Sequence, residues 1–259
     1  MVKQPFLNNM AINLSTIFTE VPFLARFGKV RDYGFSTVEC QFPYDYSVAE
    51  IRQELERHRL SLVLINLPAG KWQAGERGLA VDPARIPEFK ESVRLGIRYA
   101  TALKVPRIHC MAGVVAETAD LTAAKQVYIE NLRYVAKEAA TCGLTILIEP
   151  INRFDMPGYF LNDIQQAKAI LDEVNWPNVR LQFDFYHIER IYGNALAVFQ
   201  QYASLCDHVQ IADVPGRHEP GTGEMDYQAI FDYLSSHYNG YIGLEYTPLG
   251  KSEASFKWL

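Results

Sequence analysis

Four residues able to bind hard cations or move protons occupy equivalent places in four apolar runs: Glu149 in LTILIEP, Asp184 in VRLQFDF, Gln210 in HVQIAD and Glu245 in YIGLEY. Each stands near the C-terminal end of a strand-like segment. Three carboxylates converging without a counter-charge would repel one another and hold protons more tightly. A divalent ion resolves that conflict. Acids with an amide oxygen make a hard oxygen set that favours Mg²⁺ or Mn²⁺, tolerates Co²⁺ and suits Zn²⁺ less. The competing account gives each acid a structural task, accepting helix N-terminal amides or pairing with an arginine. It serves for any one of them; a shared site accounts better for all four at one beat of a repeat.

The residues nearby suit a small anionic ligand. His187 lies three residues past Asp184 and titrates near neutrality, although a satisfied loop or core histidine is the plainer alternative. Arg217 and His218 follow the seventh strand in PGRHEPGTGE. Arg217 offers a bidentate fork for a substrate carboxylate, or else a surface pair with Glu219. Glu219 and Glu224 read as loop anchors. His109 shares the parity of Met111 and either lines an inner wall or is a satisfied histidine of the barrel. Asn13 and Glu39 end the first two strands, where each can hydrogen-bond at the mouth or merely support it.

The elements that must position these residues alternate along the chain. Strands are expected at 11–15, 36–40, 60–66, 105–113, 144–150, 179–187, 207–214 and 240–246. Helix-sized stretches lie between them, the first with Phe18, Val21, Leu24, Phe27 and Val30 at helical spacing. Eight parallel strands joined by right-handed crossovers close a (β/α)8 TIM barrel, with the strands' C-terminal ends on one rim. An open doubly wound sheet is the competitor, but no GxGxxG loop follows the first strand. Period-two alternation turns Asp184 and Glu245 inward, opposite Phe183, Phe185, Ile242 and Leu244. Residues 67–84, LPAGKWQAGERGLAVDPA, break the rhythm and read as a substrate cover or a subunit contact. The short tail after Tyr246 implies that the last helix is truncated or replaced by coil.

At 259 residues, one domain spanning 1–259 is expected. With 25 basic and 30 acidic side chains, the net charge of −5 offers no broad attraction to nucleic acid or anionic membrane. Cys40, Cys110, Cys142 and Cys206 have no CxxC spacing and are expected to be buried free thiols in a reducing compartment. No leader-like start and no stretch of roughly 20 apolar residues is seen, so a soluble cytoplasmic protein is expected.

The segments FPYDY at 42–46, NLPAGKW at 66–72, AGERG at 74–78, IEPIN at 148–152, FDFYH at 183–187, QIADVPGRHEPGTGE at 210–224 and GLEY at 243–246 closely resemble those of hydroxypyruvate isomerases, within the xylose-isomerase-like barrels. The resemblance runs from NLS at 13–15 to EYTP at 245–248. It implies Glu149, Asp184, Gln210 and Glu245 as ligands of one divalent ion, Glu149 and Glu245 as the acid/base pair, and no organic cofactor. It further implies substrate-binding roles for His187 and Arg217. The 67–84 loop fits as a lid, with Trp72 as an apolar wall and Arg77 reaching the substrate or holding Glu76, and His109 is a further candidate at the inner wall. Many epimerase relatives carry histidine where Gln210 stands, so the amide leans toward the isomerase branch. The implied substrate is a small hydroxy or oxo acid, hydroxypyruvate exchanging with tartronate semialdehyde. A homodimer or higher homo-oligomer is a family-based expectation. The main alternatives are a 2-oxo-tetronate isomerase or a ketose 3-epimerase using the same groups, followed by a repair endonuclease and a non-catalytic barrel. The acidic charge and six scattered histidines argue against the endonuclease.

Overall fold

Short β-rich runs produce the strands β1 (Met10–Asn13), β2 (Thr37–Cys40), β3 (Ser61–Asn66), β4 (Arg107–His109), β5 (Thr145–Ile148), β6 (Val179–Asp184), β7 (Cys206–Ile211) and β8 (Ile242–Leu244). The computed structural model describes residues 8–259. The strands follow chain order around a closed barrel, and β8 pairs in parallel with β1. This is the expected (β/α)8 TIM barrel, with an extended insertion after β3 and a short C-terminal segment.

Eight α-helices accompany these strands among the described residues: α1 (Phe23–Asp32), α2 (Val48–His58), α3 (Ile86–Leu103), α4 (Leu121–Ala140), α5 (Ile164–Val174), α6 (Phe185–Tyr192), α7 (Ala195–Tyr202) and α8 (Tyr227–His237). Side chains set most of their starts. Ser47 and Glu50 form a reciprocal capping box on α2, and Asp120, Asp163, Asn194 and Asp226 accept the first amides of α4, α5, α7 and α8. Each such cap contributes about 1 kcal/mol.

Several boundaries differ from the sequence expectation. Helix α1 begins after Pro22 rather than near Phe18; Phe18 takes a left-handed φ of 59° and donates its amide to Ser252 Oγ at 2.7 Å. The sixth strand stops at Asp184, because the Asp184 carboxylate caps α6 and turns the chain directly into a helix. After β8 the last helix is replaced, as expected, leaving only a 3₁₀ turn at Ser252–Phe256.

The chain divides into two compact units, one comprising the chain up to Val63, Phe183–Ala203 and His208–Leu259, the other Leu64–Gln182 and Ser204–Asp207. In the first, Phe183, Phe185 and Phe199 pack edge to face or tilted, with centroids 5.0–5.3 Å apart, and Ile12, Val38 and Leu244 are also fully buried. In the second, Ile108, Tyr128, Ile129, Leu132, Ile146 and Ile148 are all fully buried. Burying a large apolar side chain contributes roughly 1.5–3 kcal/mol.

Cys40, Cys110 and Cys206 are buried as expected, but Cys142 is exposed, past the end of α4. Burial pushes the Cys40 and Cys110 thiols up to about 12, leaving them unreactive. No helix among the described residues is long and apolar enough to cross a membrane.

Candidate active site

In the first unit, Asp184 closes β6 and Glu245 follows β8, both buried. They divide their oxygens in the same way. Asp184 Oδ1 accepts the Tyr186 amide at 2.9 Å as the cap of α6, and Oδ2 faces Arg217 Nη2 at 3.1 Å. Glu245 Oε1 accepts Gln41 Nε2 at 2.7 Å and Asn13 Nδ2 at 3.1 Å, while Oε2 faces the same Arg217 Nη2 at 2.9 Å. One oxygen of each acid is anchored, and the other is aimed at a common cationic nitrogen.

Arg217 is held for this purpose by its loop. Its φ of 56° is left-handed, its amide donates to Asp213 O, and its carbonyl accepts the Thr247 amide, both at 2.9 Å. Asp213 accepts four backbone amides, from Val214, Gly221, Gly223 and Met225, at 2.9–3.1 Å. The Arg217 guanidinium also lies over the Tyr186 ring, 5.1 Å from its centroid. Arg217 therefore points inward rather than pairing with Glu219. Glu219 instead accepts the Leu249 amide at 2.9 Å, an anchor as expected.

Burial dominates the proton affinities here. It raises the Glu245 carboxyl to about 7, with Glu39 and Asp184 adding to the rise and Arg217 and Gln41 opposing it. Asp184 is raised by burial as well, against the pull of Arg217 and of the Tyr186 amide. Charge that burial disfavours in this way is what a bound cation would stabilise.

Gln210 lies in β7 and donates Nε2 to Glu39 Oε1 at 2.8 Å. Buried Glu39 also accepts Asn13 Nδ2 at 2.9 Å, and its Oε2 lies 2.7 Å from His208 Nε2. His187, in the first turn of α6, places Nε2 3.6 Å from Asp184 Oδ2. In this unit the chemistry-bearing residues thus include Gln41, His208 and Asp213, which sequence reasoning missed, and Asn13, read there as a mouth or support residue. Gln41 shares the parity of Glu39, so alternation along β2 was the available signal.

In the second unit, Glu149 follows β5 and is buried, with Oε2 3.6 Å from His109 Nδ1. His109 ends β4 facing this acid. The loop after β3 is partly pinned to its own unit. Leu79, Ala80 and Val81 are buried, Val81 donates to Ala112 O at 3.0 Å, and Asn131 Nδ2 donates to Ala80 O at 2.9 Å. Gly78, at φ 128°, approaches so closely that a Cβ would meet Met111 O at 2.5 Å. The more exposed tip is the segment 71–77, in which Trp72, Glu76 and Arg77 are half-buried. There Arg77 stacks over Trp72 at 4.0 Å and donates to the Trp72 and Glu76 carbonyls. Arg85, not Arg77, pairs with the Glu76 carboxylate, at 2.9 Å.

The sequence model of the xylose isomerase-like TIM barrel matches residues 27–259. The chain belongs to that family. It is 43% identical to hydroxypyruvate isomerase of Escherichia coli, over 95% of this chain and 96% of that one. It is 41% identical to 2-oxo-tetronate isomerase of Cupriavidus necator, covering 96% of each. The crystal structure of an AP endonuclease, family 2, from Brucella melitensis superposes with a TM-score of 0.94 at 43% identity, covering 97% of each chain. Sugar 3-epimerase structures near 20% identity share the fold.

Proposed function

We propose that this chain, an enzyme of the metal-dependent isomerase and epimerase group within its barrel family, interconverts hydroxypyruvate and tartronate semialdehyde. The observation that carries this proposal is the convergence of one buried oxygen from Asp184 and one from Glu245 on a single cationic nitrogen. Two acids so arranged favour positive charge at one point, and the substrate class follows from the similarity to isomerases of small oxo acids.

Glu149, Asp184 and His187 are buried donors of the kinds that hold a divalent ion. We assign Glu149, Asp184, Gln210 and Glu245 as ligands of one Mg²⁺ or Mn²⁺, with His187 as a further donor to ion or substrate. The residues fit such an ion: Gln210 turns its amide nitrogen to Glu39, which leaves a carbonyl oxygen as its ligating end. When bound, the ion would supply Lewis acidity that lowers the cost of negative charge on two adjacent substrate oxygens.

The chain's own groups move the protons. One of Glu149 and Glu245 takes a proton from C3 of hydroxypyruvate, and the other returns one to C2 of the enediolate while the hydroxyl proton passes from O3 to O2. A carboxyl can both give and take a proton, and in the metal-free chain burial raises that of Glu245 to about 7. Arg217, as a planar fork, binds the C1 carboxylate. His187 and His109 donate to substrate oxygens, and the Trp72–Arg77 tip covers the site, excluding water from the reactive intermediate.

The test is a ¹H NMR assay with Mg²⁺ or Mn²⁺ on hydroxypyruvate, 2-oxo-tetronate and free ketoses. Turnover of hydroxypyruvate at the highest kcat/KM is expected. Preference for 2-oxo-tetronate, the substrate for which the Cupriavidus relative is named, would change the substrate and leave the proton transfer intact. A nucleic-acid substrate, the class implied by the name of the Brucella protein, fits poorly with a net charge of −5.

A further inference from the structure

Glu39 is a buried acid of the first unit with three side-chain partners, yet the proposed chemistry gives it no task. Its Oε1 accepts Asn13 Nδ2 at 2.9 Å and Gln210 Nε2 at 2.8 Å, and its Oε2 faces His208 Nε2 at 2.7 Å. Three donors converge on one carboxylate, which when ionised accepts hydrogen bonds and donates none. A neighbouring amide must then turn its nitrogen toward Glu39.

The fold reserves this place. Gly243 of β8 aligns with Gln210 on β7 and with Ala11 on β1, and a Cβ at Gly243 would lie 2.3 Å from Glu39 Oε2. Only a residue without a side chain lets the carboxylate reach across to Gln210 and His208. Asn13 carries the influence further, because its Nδ2 donates to Glu245 Oε1 as well as to Glu39 Oε1.

We infer that Glu39 is a positioning residue for the metal site: it fixes the Gln210 amide with its oxygen as the ligating end and, through Asn13, holds the Glu245 carboxylate. This rests on the proposed assignment of Gln210 and Glu245 as ligands. Partners that orient metal ligands in this manner commonly contribute about 10–100-fold in metal affinity.

Mn²⁺ titration by calorimetry, with thermal melts of the metal-free proteins alongside, tests it. Glu39→Gln is expected to weaken Mn²⁺ binding about 10–100-fold. An amide at 39 offers a donor where Gln210 already presents one. Exchanging the two groups, Glu39→Gln with Gln210→Glu, restores one donor facing one acceptor and is expected to regain most of the lost affinity. A purely structural acid predicts no such rescue. Should Glu39→Gln fail to fold, Gly243→Ala displaces the carboxylate while keeping its charge and is expected to weaken Mn²⁺ binding as well. If Gln210→Ala binds Mn²⁺ as the wild type does, the ligand assignment falls and the inference with it. If Gln210→Ala is weakened while the folded Glu39→Gln is not, or if the exchange rescues nothing, the inference alone falls.

Discussion

Asp184 and Glu245 each tie one oxygen to the scaffold and offer the other to Arg217. That division separates charge from shape. Glu245→Gln is expected to keep the contacts to Asn13 and Gln41, retain Mn²⁺ within about tenfold, and lose turnover nearly completely in the NMR assay; most activity remaining would remove Glu245 from the proton transfer. The same variant reports on stability. Burial raises the folded Glu245 pKa from 4.5 to about 7, so the folded state binds the proton more tightly than the unfolded chain. Its contribution is therefore full below the unfolded value and is lost as pH rises through about 7. Metal-free Glu245→Gln should gain melting temperature relative to the parent at pH 8, and show the smaller difference at pH 5. Arg217→Lys replaces a fork with a point charge. It is expected to raise KM for the acid substrate about tenfold or more, with Mn²⁺ affinity little changed.

At the scale of elements, the decisive junction is β6 into α6. Asp184 acts there as strand terminus, helix cap and site acid at once. Asparagine caps helices about as well as aspartate, so Asp184→Asn should fold with a melting temperature close to the parent while losing Mn²⁺ binding in calorimetry. A large loss of stability would mean that its charge serves the fold first. This junction also marks what was legible in the sequence. Alternation along VRLQFDF placed Asp184 inward correctly, but it could not show that a capping acid ends the strand, since FYH continues the β-like composition. The insertion after β3 was visible by its glycines and tryptophan. Its division into a pinned stretch at 79–81 and a more exposed tip at 71–77 depends on Asn131 and Ala112, hydrogen-bond partners far along the chain.

Over the whole molecule, the alternation of strands and helices was enough to give the closed barrel, because local periodicity and right-handed crossovers leave few other topologies. The network around Glu39 was not legible beyond parity, since it depends on how β7, β8, β1 and β2 are registered. The buried acids make the barrel's stability a function of metal and pH together. A cation that binds only the folded chain stabilises it by about 2.7 kcal/mol at a concentration of 100 Kd. For a chain of this size that corresponds to a rise in melting temperature of roughly 5–10 °C, reversed by chelator. Protons compete for the same oxygens: burial raises the Glu245 carboxyl to about 7 and raises that of Asp184 as well. The apparent Mn²⁺ affinity should therefore increase as pH rises from 6 to 8, and the thermal gain from a fixed Mn²⁺ concentration should grow in step. In Glu245→Gln, which has no titrating carboxyl at that position, the pH dependence should flatten. An equal thermal gain at pH 6 and pH 8 in the parent would show that the ion binds away from these two acids.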